Sequence, residues 1–282
     1  MRFPLIAAVV VVAGMAVSDS VHADIVMYND TVWESGHGNP ANTTLYAGTG
    51  LGDGTTSGLL KDFSTGSFTG ITATLTAVNV TNSIFGLPNA GTPADSVFSG
   101  SAELNSSASY ASTTLNWSYS VTFTGLDPFK TYEFVTTIDR GDAAYDFDKG
   151  AASRWGKFSI SGADSFTNAS SVSDGVMDLG GGSSLLLNAY NTVRGDIIQW
   201  TGITAADGSF TVVSENPGGD GSLYEPIKAY GMQAFRLTEI ESVSSGPTTV
   251  PEPGSLALLG LGSLGMVWGA RRRGRRGTQT AA

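Results

Sequence analysis

The stretch IDRGDAAYDFDKGAASRW places Asp139, Asp142, Asp146 and Asp148 within ten residues, directly after an apolar alternating run. Calcium takes six to eight oxygen ligands from carboxylates and carbonyls, and a loop leaving a strand can supply them. The spacing is not that of an EF-hand, because the glycine and the closing glutamate are misplaced. Calcium at these four aspartates is therefore one expectation. The other is a solvated acidic loop whose aspartates cap local turns.

The same loop carries Tyr145, Arg154 and Trp155. An aromatic ring beside hydrogen-bonding Arg and Asp suits a sugar, whose ring presents C–H groups on one face and hydroxyls at its rim. The opposing expectation is that Trp155 opens a strand and points into the core with Phe158 and Ile160. A second loop, ENPGGDGSLYEPIKAY, carries Tyr224 and Tyr230 with Glu215, Asn216, Asp220 and Glu225. In a sandwich the two loops can converge at one end. Tyr145, Arg154, Trp155 and Tyr224 are the expected ligand-binding residues.

Other chemistries are excluded by what the chain lacks. It has no cysteine and two histidines, His22 and His37. Thiol nucleophiles, zinc–thiolate sites and multi-histidine zinc sites are ruled out. A Ser-His-Asp triad would have to use His37, alone in SGHGNP, and no G-x-S-x-G elbow is present. No phosphate loop or dinucleotide fingerprint appears. A hydrolase using two carboxylates stays open, since a glycosidase needs only a flanking pair of acids. The sequence singles out no such pair, and no catalytic residue is assigned. Arg-Gly-Asp occurs at Arg140 and again at Arg194, which in so Gly- and Asp-rich a chain reads as coincidence.

The elements that position these residues read as strands. In LNWSYSVTF, Leu115, Trp117, Tyr119, Val121 and Phe123 alternate with Asn116, Ser118, Ser120 and Thr122. A turn, TGLDP, leads to TYEFVTTID, and the two runs suggest neighbouring antiparallel strands. Further strands are expected in DIVMYN, GITATLTAVNV, WGKFSI, SSLLLNAY, GDIIQWTGI, GSFTVVSE and GMQAFRLTEI. No long segment of helical period appears, and no fixed repeat. Residues 82–109, rich in Ser, Ala and Gly, read as a long loop or a poorly ordered insertion. The fold class is all-β, an antiparallel sandwich or jelly roll over residues 24–241.

Both ends differ from this body. Arg2, an apolar run from Leu5 to Val17 and small residues at Val21-His22-Ala23 form the pattern of a cleaved secretory signal over residues 1–23, a substrate of signal peptidase. Residues 242–249 read as a flexible linker. Val250-Pro251-Glu252-Pro253 then precedes an uncharged run to Ala270, long enough for a short transmembrane helix, and the cluster Arg271, Arg272, Arg273, Arg275 and Arg276. Arginines after such a run belong on the cytoplasmic side, which puts the body outside. Residues 24–249 hold nine basic and 23 acidic side chains, a net charge of −14. That charge repels nucleic acid and suits a soluble exported domain.

Residues 250–277 resemble the PEP-CTERM sorting signal of Gram-negative bacteria in motif, order of parts and position. The resemblance implies recognition by an exosortase, a membrane-embedded cysteine-dependent processing enzyme, after transient insertion in the inner membrane. It implies export to the surface or the medium, within biofilm and exopolysaccharide systems. The body, from Leu115 to Ile240, resembles more loosely the galactose-binding-like jelly rolls in GLDPFKTYEFVTTIDRG, GDIIQWTGITAADGSFTVVSE and AYGMQAFRLTEI. That implies a sandwich that often binds carbohydrate and structural calcium. Together these readings lead to a non-catalytic surface or matrix protein contacting polysaccharide. The alternative is a carbohydrate-active hydrolase.

Overall fold

Alternating side chains along a strand give it one apolar and one polar face, and two such sheets must close on each other to bury the apolar faces. The computed structural model describes residues 24–30, 54–84, 86–102, 104, 106–110, 117–218 and 230–240. The signal segment, Tyr224, the linker, Val250–Pro253 and the arginine cluster lie outside them.

The described strands are β1 (Ile25–Asp30), β2 (Gly54–Lys61), β3 (Phe68–Val78), β4 (Val80–Ile84), β5 (Ser106–Tyr110), β6 (Ser118–Thr124) and β7 (Thr131–Thr137). They continue as β8 (Trp155–Ser161), β9 (Ser165–Asn168), β10 (Val176–Asp178), β11 (Ser184–Asn188), β12 (Ile198–Thr204), β13 (Ser209–Glu215) and β14 (Ala234–Ile240). One sheet runs β1-β14-β7-β12-β9 and the other β10-β11-β8-β13-β6-β3-β2, with β4 and β5 paired separately. All described pairings are antiparallel.

Eight of these strands form a jelly roll. Taking β1, β6, β7, β8, β11, β12, β13 and β14 as first to eighth, one sheet reads first, eighth, third, sixth and the other second, seventh, fourth, fifth. That is the interleaved order of two Greek keys. The strand pair β2–β3 extends one sheet beyond β6, β10 extends it beyond β11, and β9 extends the other beyond β12.

The apolar faces meet in one core. Phe123 sits at its centre, with ring centroids 5.0 Å from Phe210, 5.3 Å from Phe235 and 5.9 Å from Phe134. Phe210 lies on a neighbouring strand of the same sheet; Phe134 and Phe235 come from the opposite one. Edge-on and tilted contacts of this kind suit the ring quadrupoles. Trp200 lies tilted against Phe134 with ring centroids 6.1 Å apart, and its indole N–H donates to the Gly182 carbonyl at 2.7 Å.

The expected neighbours β6 and β7 do not pair. β6 lies between β3 and β13, whereas β7 lies between β14 and β12 in the other sheet. The turn between them is an arch over the core. Gly125 takes φ +78° there, and a Cβ on it would come within 2.6 Å of the Gly70 carbonyl oxygen. The Asp127 amide donates to the Tyr132 hydroxyl at 2.7 Å and the Leu126 amide to the Gly208 carbonyl at 3.1 Å. Alternation showed which side of each run is apolar, but two strands facing one core alternate alike whether they pair or oppose.

Residues 82–109, expected as a loop, contain the helix α1 (Pro93–Phe98), the end of β4 and most of β5. Thr92 caps α1 by accepting from the Asp95 amide, and Pro93 stands in its first turn. Ala94 and Phe98 pack with Val135, Ile197 and Ala234 on the outer side of the five-stranded sheet. Six residues are too few to show a helical period, so only the Thr-Pro start was available as a signal.

Phe123→Ala removes the ring that joins both sheets. It should lower stability by about 3–5 kcal/mol, the usual cost of truncating a buried phenylalanine. A urea midpoint within error of the parent would refute that role.

Candidate functional site

The loop from Asp139 to Trp155 leaves β7 and enters β8, and it is held by residues of the β11–β12 connection. Asp139 is 2 % exposed. Its Oδ1 accepts from the Gly141 amide at 2.8 Å, the Asn191 amide at 3.2 Å and the Thr192 hydroxyl at 3.0 Å. Burial raises its carboxyl above the ordinary aspartate range, against the hydrogen bonds from Thr192, Gly141 and Asn191, which pull it down.

Asp142 accepts from the Ala144 amide at 3.0 Å and caps a short 3-10 helix, Ala143–Tyr145. Asp146 caps the next, Phe147–Ala152, through the Phe147 amide at 2.8 Å. Asp148 pairs with Lys149 at 2.6 Å on the exposed side. The four aspartates expected to share a calcium ion each have partners of their own. Among the described residues, no group of three or more His, Cys, Asp or Glu could hold a metal ion.

The hub of the region is Arg194. Its Nη1 donates to Asp146 Oδ1 at 2.8 Å, its Nη2 to Asn188 Oδ1 at 2.9 Å and to the Tyr190 carbonyl, and its Nε lies 3.2 Å from Asp196 Oδ2. The guanidinium also lies 5.1 Å from the Phe147 ring centroid. Asp196 accepts in addition from the Ser173 hydroxyl at 2.7 Å. Gly175 leaves room for this pair: a Cβ there would stand 2.6 Å from Arg194 Nε and 2.6 Å from Asp196 Oδ2. A planar guanidinium with five donors can serve several acceptors at once, which a lysine cannot. The second Arg-Gly-Asp is thus the start of a clamp, with Arg194 and Asp196 turned toward each other.

Asn191 and Asn188 extend the network. Asn191 Nδ2 donates to Thr137 Oγ1 at 3.1 Å and to the Asp196 carbonyl at 2.8 Å, and its Oδ1 accepts from the Asp196 amide at 2.7 Å. Asn188 Nδ2 donates to the carbonyls of Tyr145 at 3.2 Å and Arg154 at 3.0 Å. Buried polar groups need such partners, and here side-chain amides add to the hydrogen bonds that the backbone makes across the loop.

The expected ligand-binding residues are only partly brought together. Arg154 lies 4.6 Å from the Tyr145 ring centroid and Arg140 lies 5.4 Å from it. Arg140 Nε donates to the Tyr230 hydroxyl at 2.9 Å, so the second loop meets the first through Tyr230. Arg154 is 5 % exposed, and its Nη1 donates to the Ala152 carbonyl at 2.8 Å. Trp155 is also buried, its indole N–H bonded to Ser153 Oγ at 3.0 Å. Its position in β8 puts it on the face opposite Phe158 and Ile160, which belong to the main core. Arg154 and Trp155 are thus covered, while Tyr145 is half-buried with two guanidinium groups against its ring. These cation–π contacts brace the loop.

Among the described residues, no second carboxylate hydrogen-bonds to Asp139, whose partners are a hydroxyl and backbone amides. Asp146 and Asp196 share one arginine.

Comparison with known proteins finds the PEP-CTERM protein-sorting motif at residues 249–273. Neither the curated proteins nor the solved structures yield a match. The motif makes this an exported protein, handled at the membrane and processed by an exosortase.

Two outcomes follow from the network. Arg194→Met strands the half-buried Asp146 and the buried Asp196 without their cation and should cost about 1–3 kcal/mol, between the loss of an exposed pair and that of a fully buried one; an unchanged melting profile would remove Arg194 from its place as hub. Asp139 has its carboxyl raised above the ordinary 3.8 in the fold. The folded state then holds a proton that the unfolded state releases. This contribution is fully present below pH 3.8 and is lost as pH rises through the raised value. Asp139→Asn should flatten that part of a urea-midpoint series measured against pH, and a slope matching the parent would contradict it.

Proposed function

We propose that this chain is a non-catalytic protein of the cell surface or extracellular matrix whose jelly-roll body contacts polysaccharide. The observation that carries the reading is the sorting motif at residues 249–273, which commits the chain to export and exosortase processing. The resemblance to such sorting signals implies an association with exopolysaccharide systems, and the looser resemblance of the body to galactose-binding-like jelly rolls points to the same ligand class.

The internal use of the acids supports the non-catalytic part. A glycosidase holds one carboxyl as acid and the other as base or nucleophile on either side of the sugar bond. Here Asp139, Asp142, Asp146 and Asp196 cap turns, bind Arg194 or accept from the backbone. The N-terminal signal is the proposed entry to export through signal peptidase. The run before the arginine cluster is the proposed temporary membrane handle.

Replacing Pro251, Glu252 and Pro253 with alanine, in a host that carries an exosortase, should leave the chain uncut in the membrane fraction. The parent should appear shortened outside the cell. Equal processing of both on an immunoblot would remove the motif from the export route. Incubated with a polysaccharide panel, the full chain should release no reducing ends; their release would establish a hydrolase instead.

A further inference from the structure

We infer that the outer face of the seven-stranded sheet is a docking surface for a neutral polysaccharide chain, laid across the strands. This rests on the reading of the protein as polysaccharide-contacting, and it names the surface and the ligand class.

The register places Ser57 opposite Thr74, Thr74 opposite Thr122, Thr122 opposite Thr211 and Thr211 opposite Ser161. One row of hydroxyl side chains thus crosses five adjacent strands. Thr72, Thr124 and Ser209 form a parallel row on one side, and Thr76 and Ser120 pair on the other. The residues between them along each strand, such as Ala73, Val121 and Val212, are buried in the core, so the hydroxyls point outward. Ser57 and Ser161 are exposed and Thr74, Thr122 and Thr211 are half-buried.

Strand propensity accounts for threonine at such positions but not for serine. Exposed sheets, and edge strands above all, usually carry lysine or other charges that keep them soluble and unpaired. Among the described residues of β2, β3, β6, β13 and β8, the charges on this face are Lys61, 5.3 Å from the Phe68 ring centroid, and Lys157 paired with Glu215 at 2.7 Å. The middle of the face is neutral, in a chain of net charge −10.

A hydroxyl both donates and accepts, as do the hydroxyls of a sugar. Adjacent strands are about 4.8 Å apart, close to the length of one pyranose ring, so a chain along the row meets one hydroxyl side chain per sugar. Thr122 and Thr211 already bond each other at 2.9 Å, which holds part of the row in place. At one end of β3, on this same face, Phe68 is 66 % exposed and offers a ring to the C–H side of a sugar. A neutral polymer meets no repulsion from the acidic body, whereas an anionic one does. A second copy of this chain is disfavoured as occupant, since stacking two such faces buries rows of hydroxyls, and interface cores are poor in serine.

The test uses the full chain in mild detergent, with depletion binding to swollen cellulose, an insoluble β-1,3-glucan and alginate beads. The variants are Thr74→Val/Thr122→Val/Thr211→Val, which keeps strand shape, Thr122→Glu, and Phe68→Ala, each checked by its thermal melt. Retention on a neutral glucan, weakened about tenfold or more by the triple variant and by Thr122→Glu, is the expected result. Retention that all the variants leave intact overturns the assignment of the face and leaves the polysaccharide reading standing. Retention on alginate alone also overturns the face. No retention by the parent on any polymer overturns both. A dimer that the variants convert to monomer makes the face a contact between copies and overturns the proposal.

Discussion

The structure depends on two apolar sheet faces closing on each other with no covalent help. An exported domain without cysteine has no disulfide to limit its unfolded state. Its stability must come from buried area and from the fit of large side chains. Phe123, Phe134, Phe210, Phe235 and Trp200 supply both, and they reach one another because the jelly-roll order sends β6 to β8, and again β12 to β14, to alternate sheets. The arch at Gly125 and the hydroxyl of Tyr132 make that alternation possible at the β6–β7 end.

Once the core has closed, the long connections must satisfy their own backbone. Arg194, Asp139, Asn188 and Asn191 do this between the β7–β8 loop and the β11–β12 connection. The polar residues that suggested chemistry are therefore spent on holding the loop. Asp142 and Asp146 are turn caps, Arg154 and Arg140 lie against Tyr145, and Trp155 is covered. The seven-stranded sheet differs, because its outward residues across β2, β3, β6 and β13 are largely hydroxyls, lined up in rows from strand to strand. That contrast moves the proposed ligand surface from the loop to the sheet.

Much of this architecture was legible in alternation and in short apolar runs. The runs in β3, β6, β8, β12 and β13 show alternation, the short apolar runs of β1, β7, β11 and β14 read as strands as well, and each is a strand. β2 was not legible, because GTTSGLLK places small polar residues where apolar ones would mark a core face. Pairing was not legible either, since β6 and β7 follow a short turn yet belong to opposite sheets. The parity of Trp155 was available by counting from Phe158, which puts the two on opposite faces. Arg194 was passed over because Arg-Gly-Asp is expected by chance in this composition; the nearby Asn188, Asn191 and Asp196 were the signal that it serves a network. The sorting motif was readable outright, because it is a local pattern of proline, glutamate, an apolar run and arginines that needs no tertiary context. The hydroxyl rows needed the strand register, which no single strand contains.

The proposed division of labour, with a braced loop and a ligand-facing sheet, is tested most directly by methyl NMR. Threonine methyls of the full chain would be followed as a soluble gluco-oligosaccharide is added. The account predicts shifts at Thr74, Thr122 and Thr211, with Thr137 and Thr192 of the polar network unmoved. Shifts confined to Thr137 and Thr192, with the sheet methyls silent, would place the ligand at the loop and contradict it.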